Sequence, residues 1–245
     1  MLSFADKTVL ITGAAGGIGR ATAQLLSKLG ANLALTDTDM GALRSAADEV
    51  AAGSGRVTTH TLDVTDLASC KEVVAAVAKE HGGVDHLVHA AGIYPQVMVE
   101  DMTSEQWRKV MSVNVDGTFH ICHAVIPVLK DNSSIVNIAS VAAHRGSYSH
   151  AHYSASKGAV VSFTRSLARE LAPKTRVNAI SPGVIETAMT VETIKQVGSS
   201  LLDSTLLKRF GTADEVAGGI VFLCSSLASY VTGESLQVNG GLHMS

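Results

Sequence analysis

The chain has 245 residues, 46% of them apolar and 17% charged, with a formal net charge of −3. That balance supports one sizeable core and excludes intrinsic disorder, and it lacks the basic excess expected of a nucleic-acid binder. No stretch approaches the roughly twenty apolar residues that cross a bilayer, and the start Met1-Leu2-Ser3-Phe4-Ala5-Asp6-Lys7 has none of the features of a signal peptide, so a cytoplasmic protein without membrane contact is expected.

Short β-branched runs alternate with segments of helical period. Thr8 to Thr12 reads as a strand and Gly17 to Leu29 as a helix. Asn32 to Thr36 is a second strand, followed by a helix through Val50. Arg56 to Leu62 is a third strand, Asp66 to His81 a helix, and Val84 to His89 a fourth strand. One long helical region covers Ser104 to Leu129. Ser134 to Ala139, the helix Ala151 to Ala172 and the strand Arg176 to Ser181 follow. A helix from Ala213 to Leu223 and a strand from Ser235 to Val238 close the chain. Continuous apolar strands joined by helices predict an α/β single-domain Rossmann fold: a doubly wound, seven-stranded parallel sheet with helices on both faces. No linker divides residues 1–245.

The first strand runs into Thr12-Gly13-Ala14-Ala15-Gly16-Gly17-Ile18-Gly19 and then a helix. Glycines at such a turn let a pyrophosphate approach the free N–H groups of a helix N-terminus. Asp37 ends the second strand, about twenty residues on, where a carboxylate accepts both hydroxyls of an adenosine ribose and repels a 2′-phosphate. No Lys or Arg stands at position 16 or 38 to pair with that phosphate, so NAD is expected rather than NADP. Arg20 is a possible phosphate partner that more naturally faces solvent. Asp63 closes the third strand and can bond an adenine amino group.

Tyr153 and Lys157 lie four apart at the start of the longest helix, on one face. A phenol ionises near pH 10, and a nearby ammonium would lower that value toward the working range of a general base. Ser140 ends the fifth strand at the ligand edge of the sheet and can bond the same carbonyl oxygen as the tyrosine.

With Thr12-Gly13 and Gly17-Ile18-Gly19, Asp63-Val64, Asn114, Ser140, Tyr153 with Lys157, Pro182-Gly183, and Thr232-Gly233 with Gly240-Gly241, the sequence resembles the short-chain dehydrogenases/reductases along its whole length. The resemblance implies that Tyr153 is the general acid/base, that Ser140 orients substrate, and that Lys157 bonds the nicotinamide ribose. It implies that Asn114 holds a water in a proton relay. Ala91-Gly92 would approach the cofactor with their backbone, and Pro182-Gly183 with Ile185 and Thr187 would frame the carboxamide. The family's usual Asn-Asn-Ala-Gly or Asn-Ala-Ala-Gly is here His89-Ala90-Ala91-Gly92, where His89 offers one donor and one acceptor in place of an amide.

The irregular stretch 184–211 is expected to be a substrate lid with a mostly apolar inner face, against the alternative of a fixed pair of short helices. Tyr94, His144, Tyr148 and Met189 are the candidate substrate contacts, with His150 and His152 beside them. Cys70, Cys122 and Cys224 show neither disulfide nor metal spacing, and His120 with His123 lacks further ligands, so no metal site is expected. The helices at 104–129 and 151–172 carry small and apolar residues suited to a symmetric interface, and the resemblance implies a homotetramer. The reading is an NAD-linked oxidoreductase moving a hydride to or from a small secondary alcohol or ketone. One alternative is an NADPH-dependent 3-oxoacyl-acyl-carrier-protein reductase, with Lys130, Arg165, Arg169, Lys174 and Arg176 as a basic patch for the carrier. The other is a non-catalytic NAD(H)-binding module, against which Tyr153, Lys157, Ser140 and Asn114 all argue.

Overall fold

The computed structural model describes residues 2–50 and 55–244; Met1, Ser245 and the side chain of Val197 lie outside that description. Seven parallel strands form one sheet in the order β3-β2-β1-β4-β5-β6-β7. They are β1 Thr8–Thr12, β2 Asn32–Asp37, β3 Val57–Thr61, β4 Val84–His89, β5 Leu129–Ile138, β6 Thr175–Pro182 and β7 Ser235–Val238. The chain winds outward both ways from the β1/β4 boundary, and such sheets hold ligands beyond their carboxyl ends at that point.

The helices are α1 Gly17–Lys28, α2 Met40–Val50, α3 Leu67–His81, α4 Ser104–Met111, α5 Gly117–Val125, α6 Ala142–Arg145, α7 Ala151–Leu171, α8 Val191–Ser204 and α9 Ala213–Cys224. Alternate residues of each strand feed two apolar layers. Val9, Ile11 and Val88 pack against Leu26, Leu43 and Ile220 of α1, α2 and α9. Leu10, Leu87 and Ile135 pack against Val74, Ile121 and Leu167 of α3, α5 and α7. This alternation is what a parallel sheet covered on both faces requires.

Two boundaries differ from the sequence reading. The expected helix from 104 to 129 is broken by a π-helical turn at Ser112–Asp116 and ends in a 3-10 turn at Ile126–Val128 containing Pro127. Strand β5 then begins at Leu129, opposite Val84, with a register shift before His86 meets Ser134. Proline cannot donate the next helical hydrogen bond, so the helix stops and the strand starts early.

The amino ends of the strands are pinned by a buried carboxylate. Asp85 accepts from the backbone N–H of Thr8 at 2.9 Å and from the ammonium groups of Lys7 and Lys130 at 3.0 Å each. Among the described residues no helix is long and apolar enough to cross a membrane.

Candidate active site

The glycine turn is tight for a stated reason. Gly13 has φ +65°, and a Cβ there would lie 2.7 Å from the Ala90 carbonyl carbon and the Ala91 nitrogen. A Cβ on Gly19 would fall 2.2 Å from the Gly13 carbonyl oxygen. The first glycine therefore brings β1 against the backbone after β4, and the last lets α1 start directly above the turn. Ile18 packs toward the core, and Gly17 faces the methyl of Thr187.

Beside this turn lies a cavity of about 530 Å³, lined by Gly13, Asp37, Asp63, Val64, Ala91 and Gly92 among others. The Asp37 carboxylate accepts from the N–H of Ala15 in the turn at 3.1 Å and from that of Thr38 at 2.8 Å. Asp63 accepts from the N–H and hydroxyl of Thr65 through one oxygen, leaving the other for a ligand. Arg20 is turned away, bonded to Ser45 at 2.8 Å and paired with Glu49 at 3.4 Å. The cavity and its cradle fit a dinucleotide.

A second cavity, about 600 Å³, adjoins it and holds Ser140 and Tyr153 together with Tyr94, Tyr148 and Met189. Tyr94 stacks on His150 (centroids 4.0 Å apart, planes 3° apart) and meets Tyr153 edge-on at 4.6 Å. This aromatic pair holds one side of the tyrosine. Burial pushes the Tyr153 hydroxyl up to about 12, against a pull downward from the Ser140 side chain. Burial also pushes Lys157 down to about 8. The expected lowering of the tyrosine by the lysine is therefore not present in this state. The reason is geometric: the Lys157 ammonium donates to the Ile138 carbonyl at 2.7 Å and lies 5.7 Å from the centre of the Tyr153 ring. It sits beside the ring, held by that carbonyl.

Asn114 stands within the π-helical turn and is fully buried. Its side chain accepts from the Ile93 N–H at 2.9 Å and donates to the Ile93 carbonyl and the Ser156 hydroxyl at 3.0 Å each. Ser156 in turn donates to the Tyr153 carbonyl. One amide thus fastens the strap after β4 to the catalytic helix.

His89 fills the place of the usual amide by bonding the Thr12 hydroxyl through Nδ1 at 2.7 Å. Thr12 accepts from the Ala91 N–H at 3.3 Å. Burial drives the imidazole down to about 3, so it is neutral, and its Nε2 has no partner. It ties β4 to β1 with half the capacity of an asparagine.

Four assignments change. His144 does not line the catalytic cavity; it bonds the Ser181 hydroxyl at 3.1 Å and approaches Gln237 at 3.2 Å. The Ile185 side chain is buried in the core, against Gly211, so only its backbone can frame a carboxamide. Pro182 is buried, its carbonyl accepting from Val141 at 2.9 Å, whereas Gly183 lines the catalytic cavity. The segment 184–211 holds one 14-residue helix, α8, and not a pair of short ones. Its cavity face is mixed, Thr193, Gln196 and Ser200 with Leu201, while Gly198 packs against Ile194 and Phe210. Sequence reasoning missed this stripe, and it missed Gln96 and Arg145. The spacing of 193, 196 and 200 is that of one helix face and was readable once the direction of packing was known.

Among the described residues no cluster suited to a metal appears, and the three cysteines are free and buried. A solved structure from Brucella melitensis, titled a short-chain dehydrogenase/reductase of the glucose/ribitol dehydrogenase type, matches 100% of this chain and 99% of its own at 48% identity, with a TM-score of 0.96. The chain belongs to the short-chain dehydrogenase/reductase family. It is an oxidoreductase of the nicotinamide-dependent kind. A family model described as enoyl-(acyl carrier protein) reductase matches residues 13–243. Among curated relatives, the 3-oxoacyl-[acyl-carrier-protein] reductase of Thermotoga maritima is 40% identical over 239 residues, covering 96% of this chain and 97% of the relative. That of Escherichia coli is 36% identical over 247 residues, covering 99% and 100%. A short-chain dehydrogenase/reductase of Mycobacterium ulcerans matches 98% of this chain and 91% of its own at 31% identity, with a TM-score of 0.95.

Proposed function

We propose that this short-chain dehydrogenase/reductase uses NAD(H) to interconvert a small polar secondary alcohol and its ketone. The observation that carries the cofactor choice is the Asp37 carboxylate, bonded to the glycine turn at the rim of the dinucleotide cavity. Thr38, which follows it, brings no cation, and Lys109 enters that cavity from α4, beside Gly92 and Ile93. A carboxylate in this place bonds ribose hydroxyls and repels a 2′-phosphate. The glycine turn, Asp37, Asp63 with Val64, and the backbone of Ala91-Gly92 would hold the dinucleotide. Gly183, Ile185 through its backbone, and Thr187 would meet its nicotinamide end.

Bound there, the cofactor supplies the hydride acceptor or donor and, when oxidised, a positive ring. Tyr153 takes the alcohol proton or returns it to the carbonyl oxygen. Ser140 fixes that oxygen beside the phenol. Lys157, already desolvated, would hold a ribose hydroxyl of the bound cofactor, and its positive charge there would favour the phenolate and lower the tyrosine from its resting value. Asn114, through Ser156 and the Ile93 strap, keeps the catalytic helix in register with the backbone that flanks the cofactor.

A second reading, an NADPH-dependent 3-oxoacyl-acyl-carrier-protein reductase, is favoured by the names of the curated relatives. Against it stands Asp37 at the rim of the dinucleotide cavity. Three residues of the basic patch proposed for a carrier also lie away from the cavity. Lys130 pairs with Asp85, Lys174 with Asp131, and Arg176 donates to the carbonyls that end α9, all at the amino edge of the sheet. The exposed Trp107 and Phe119 on α4 and α5 suit a helix-on-helix contact between copies and support an oligomer.

The test is reduction by the purified protein of small polar ketones and of 3-oxoacyl thioesters, with NADH and NADPH in parallel. Turnover of small ketones with NADH, falling at least about 100-fold in Tyr153→Phe, is the expected result. Turnover of thioesters with NADPH alone replaces the first reading by the second.

A further inference from the structure

Among the side chains that surround the catalytic cavity there is no aspartate, glutamate or lysine, and one arginine, Arg145. The Lys157 ammonium lies 5.7 Å from the Tyr153 ring centre but is not part of the wall, so Arg145 is the one fixed cation the wall itself presents, and no carboxylate faces it. Arg145 ends α6, which begins two residues after Ser140. Ser140 and Arg145 both line this cavity, so the guanidinium shares its wall with the group that holds the reacting oxygen. The residue is exposed, and its guanidinium makes no hydrogen bond or ion pair with any described residue. The seven ion pairs among the described residues all lie elsewhere. Across the cavity, Thr193, Gln196 and Ser200 of α8 present neutral hydrogen-bonding groups.

We propose that Arg145 receives a carboxylate of the substrate, so that the secondary alcohol is that of a short hydroxy acid. This rests on the oxidoreductase reading above and names its substrate class. A guanidinium fork matches a carboxylate in two parallel hydrogen bonds. In a cavity without a competing acid, that contact selects an anion over a neutral molecule of equal size. Thr193, Gln196 and Ser200 of α8 would hold the remaining hydroxyl or the second carboxylate oxygen. The uncharged acyl chain of a thioester would gain nothing from Arg145.

The experiment titrates short oxo-acid anions, each beside its primary amide, into the protein–NADH complex, reading nicotinamide fluorescence. NADH oxidation is followed in parallel. The acid is expected to bind roughly tenfold or more tighter than its amide, the advantage collapsing toward one in Arg145→Gln and surviving in part in Arg145→Lys. Circular dichroism of each variant confirms folding, and the Lys variant keeps the comparison alive should the Gln variant fail to fold. Equal binding of acid and amide by the unaltered protein, or an advantage untouched in both variants, overturns the proposal. A phosphopantetheine thioester that binds through Arg145 where the acids do not also overturns it. Acids that bind through Arg145 with no NADH oxidation leave the anion seat standing and remove the reaction reading instead.

Discussion

Replacing Asp37 by alanine tests the cofactor argument at its source. Two unit charges about 4 Å apart interact by about 1 kcal/mol in water and about 4 kcal/mol at an effective dielectric near 20. Asp37 is partly exposed, so about 2 kcal/mol per unit charge is the appropriate scale. A phosphate monoester carries a charge of about −1.5 to −2. Salt screening trims the product to about 3 kcal/mol, which is roughly a 100-fold preference for the cofactor lacking the 2′-phosphate. The same substitution removes two hydrogen bonds to ribose hydroxyls, which weakens NADH by about tenfold. Fluorescence titration of NADH and NADPH, for the natural protein and for Asp37→Ala at two salt concentrations, reads both terms. The ratio of the two dissociation constants is expected to fall by two decades, the natural preference being greater at low salt. A protein that binds NADPH as tightly as NADH, or a ratio that Asp37→Ala leaves within threefold, refutes the reasoning.

Lys157→Met is expected to abolish turnover while raising the unfolding midpoint. The fall of the ammonium from its ordinary 10.5 to about 8 corresponds to ~3 kcal/mol at pH 7, less the lost bond to Ile138. The folded state gives up its proton first, so the natural protein gains stability between pH 8 and 10.5. The advantage of the variant must vanish over that window, and thermal unfolding across pH checks it. Gly19→Ala places a methyl 2.2 Å from the Gly13 carbonyl oxygen, so stability should drop by about 1–3 kcal/mol and NADH affinity at least tenfold; unchanged affinity by titration would show that the turn can open. In Asp85, burial opposes the charge, but the Thr8 N–H with Lys130 and Lys7 more than offsets it and the carboxyl is held low. Asp85→Asn should cost about 1–3 kcal/mol near neutral pH, and the difference should shrink as acid protonates the natural protein below pH 4, where denaturant titration can follow it.

The sheet was legible because its strands are short apolar runs bounded by glycine and polar residues, and local pattern suffices for that. The glycine turn, Asp37, Ser140 and the Tyr153/Lys157 pair stood out by their spacing, and the fold brings Gly13 and Asp37 to one cavity and Ser140 and Tyr153 to the next. What escaped depended on which neighbour each face meets. Ile194, Leu201 and Leu202 suggested an apolar lining for 184–211, yet of the three only Leu201 reaches the cavity, where Thr193, Gln196 and Ser200 stand beside it. The π-helical turn at Ser112–Asp116 adds a residue that no periodicity announces. His144 looked available for a ligand until Ser181 and Gln237, distant in sequence, claimed its ring. The tyrosine's resting ionisation was misjudged because position four residues apart fixes a face, while the lysine's hydrogen bond to Ile138 decides where its charge goes.

The carboxylate that joins Thr8, Lys7 and Lys130 lies at the opposite rim of the sheet from both cavities. This anchor of the strands therefore shares no residue with the chemistry at the other rim. The loops at the carboxyl rim can be rewritten, as at Arg145 or along α8, while the amino rim keeps the strands in order. Substrate choice in this chain is thus open to change by few substitutions, each answerable to the ligand and few to the fold.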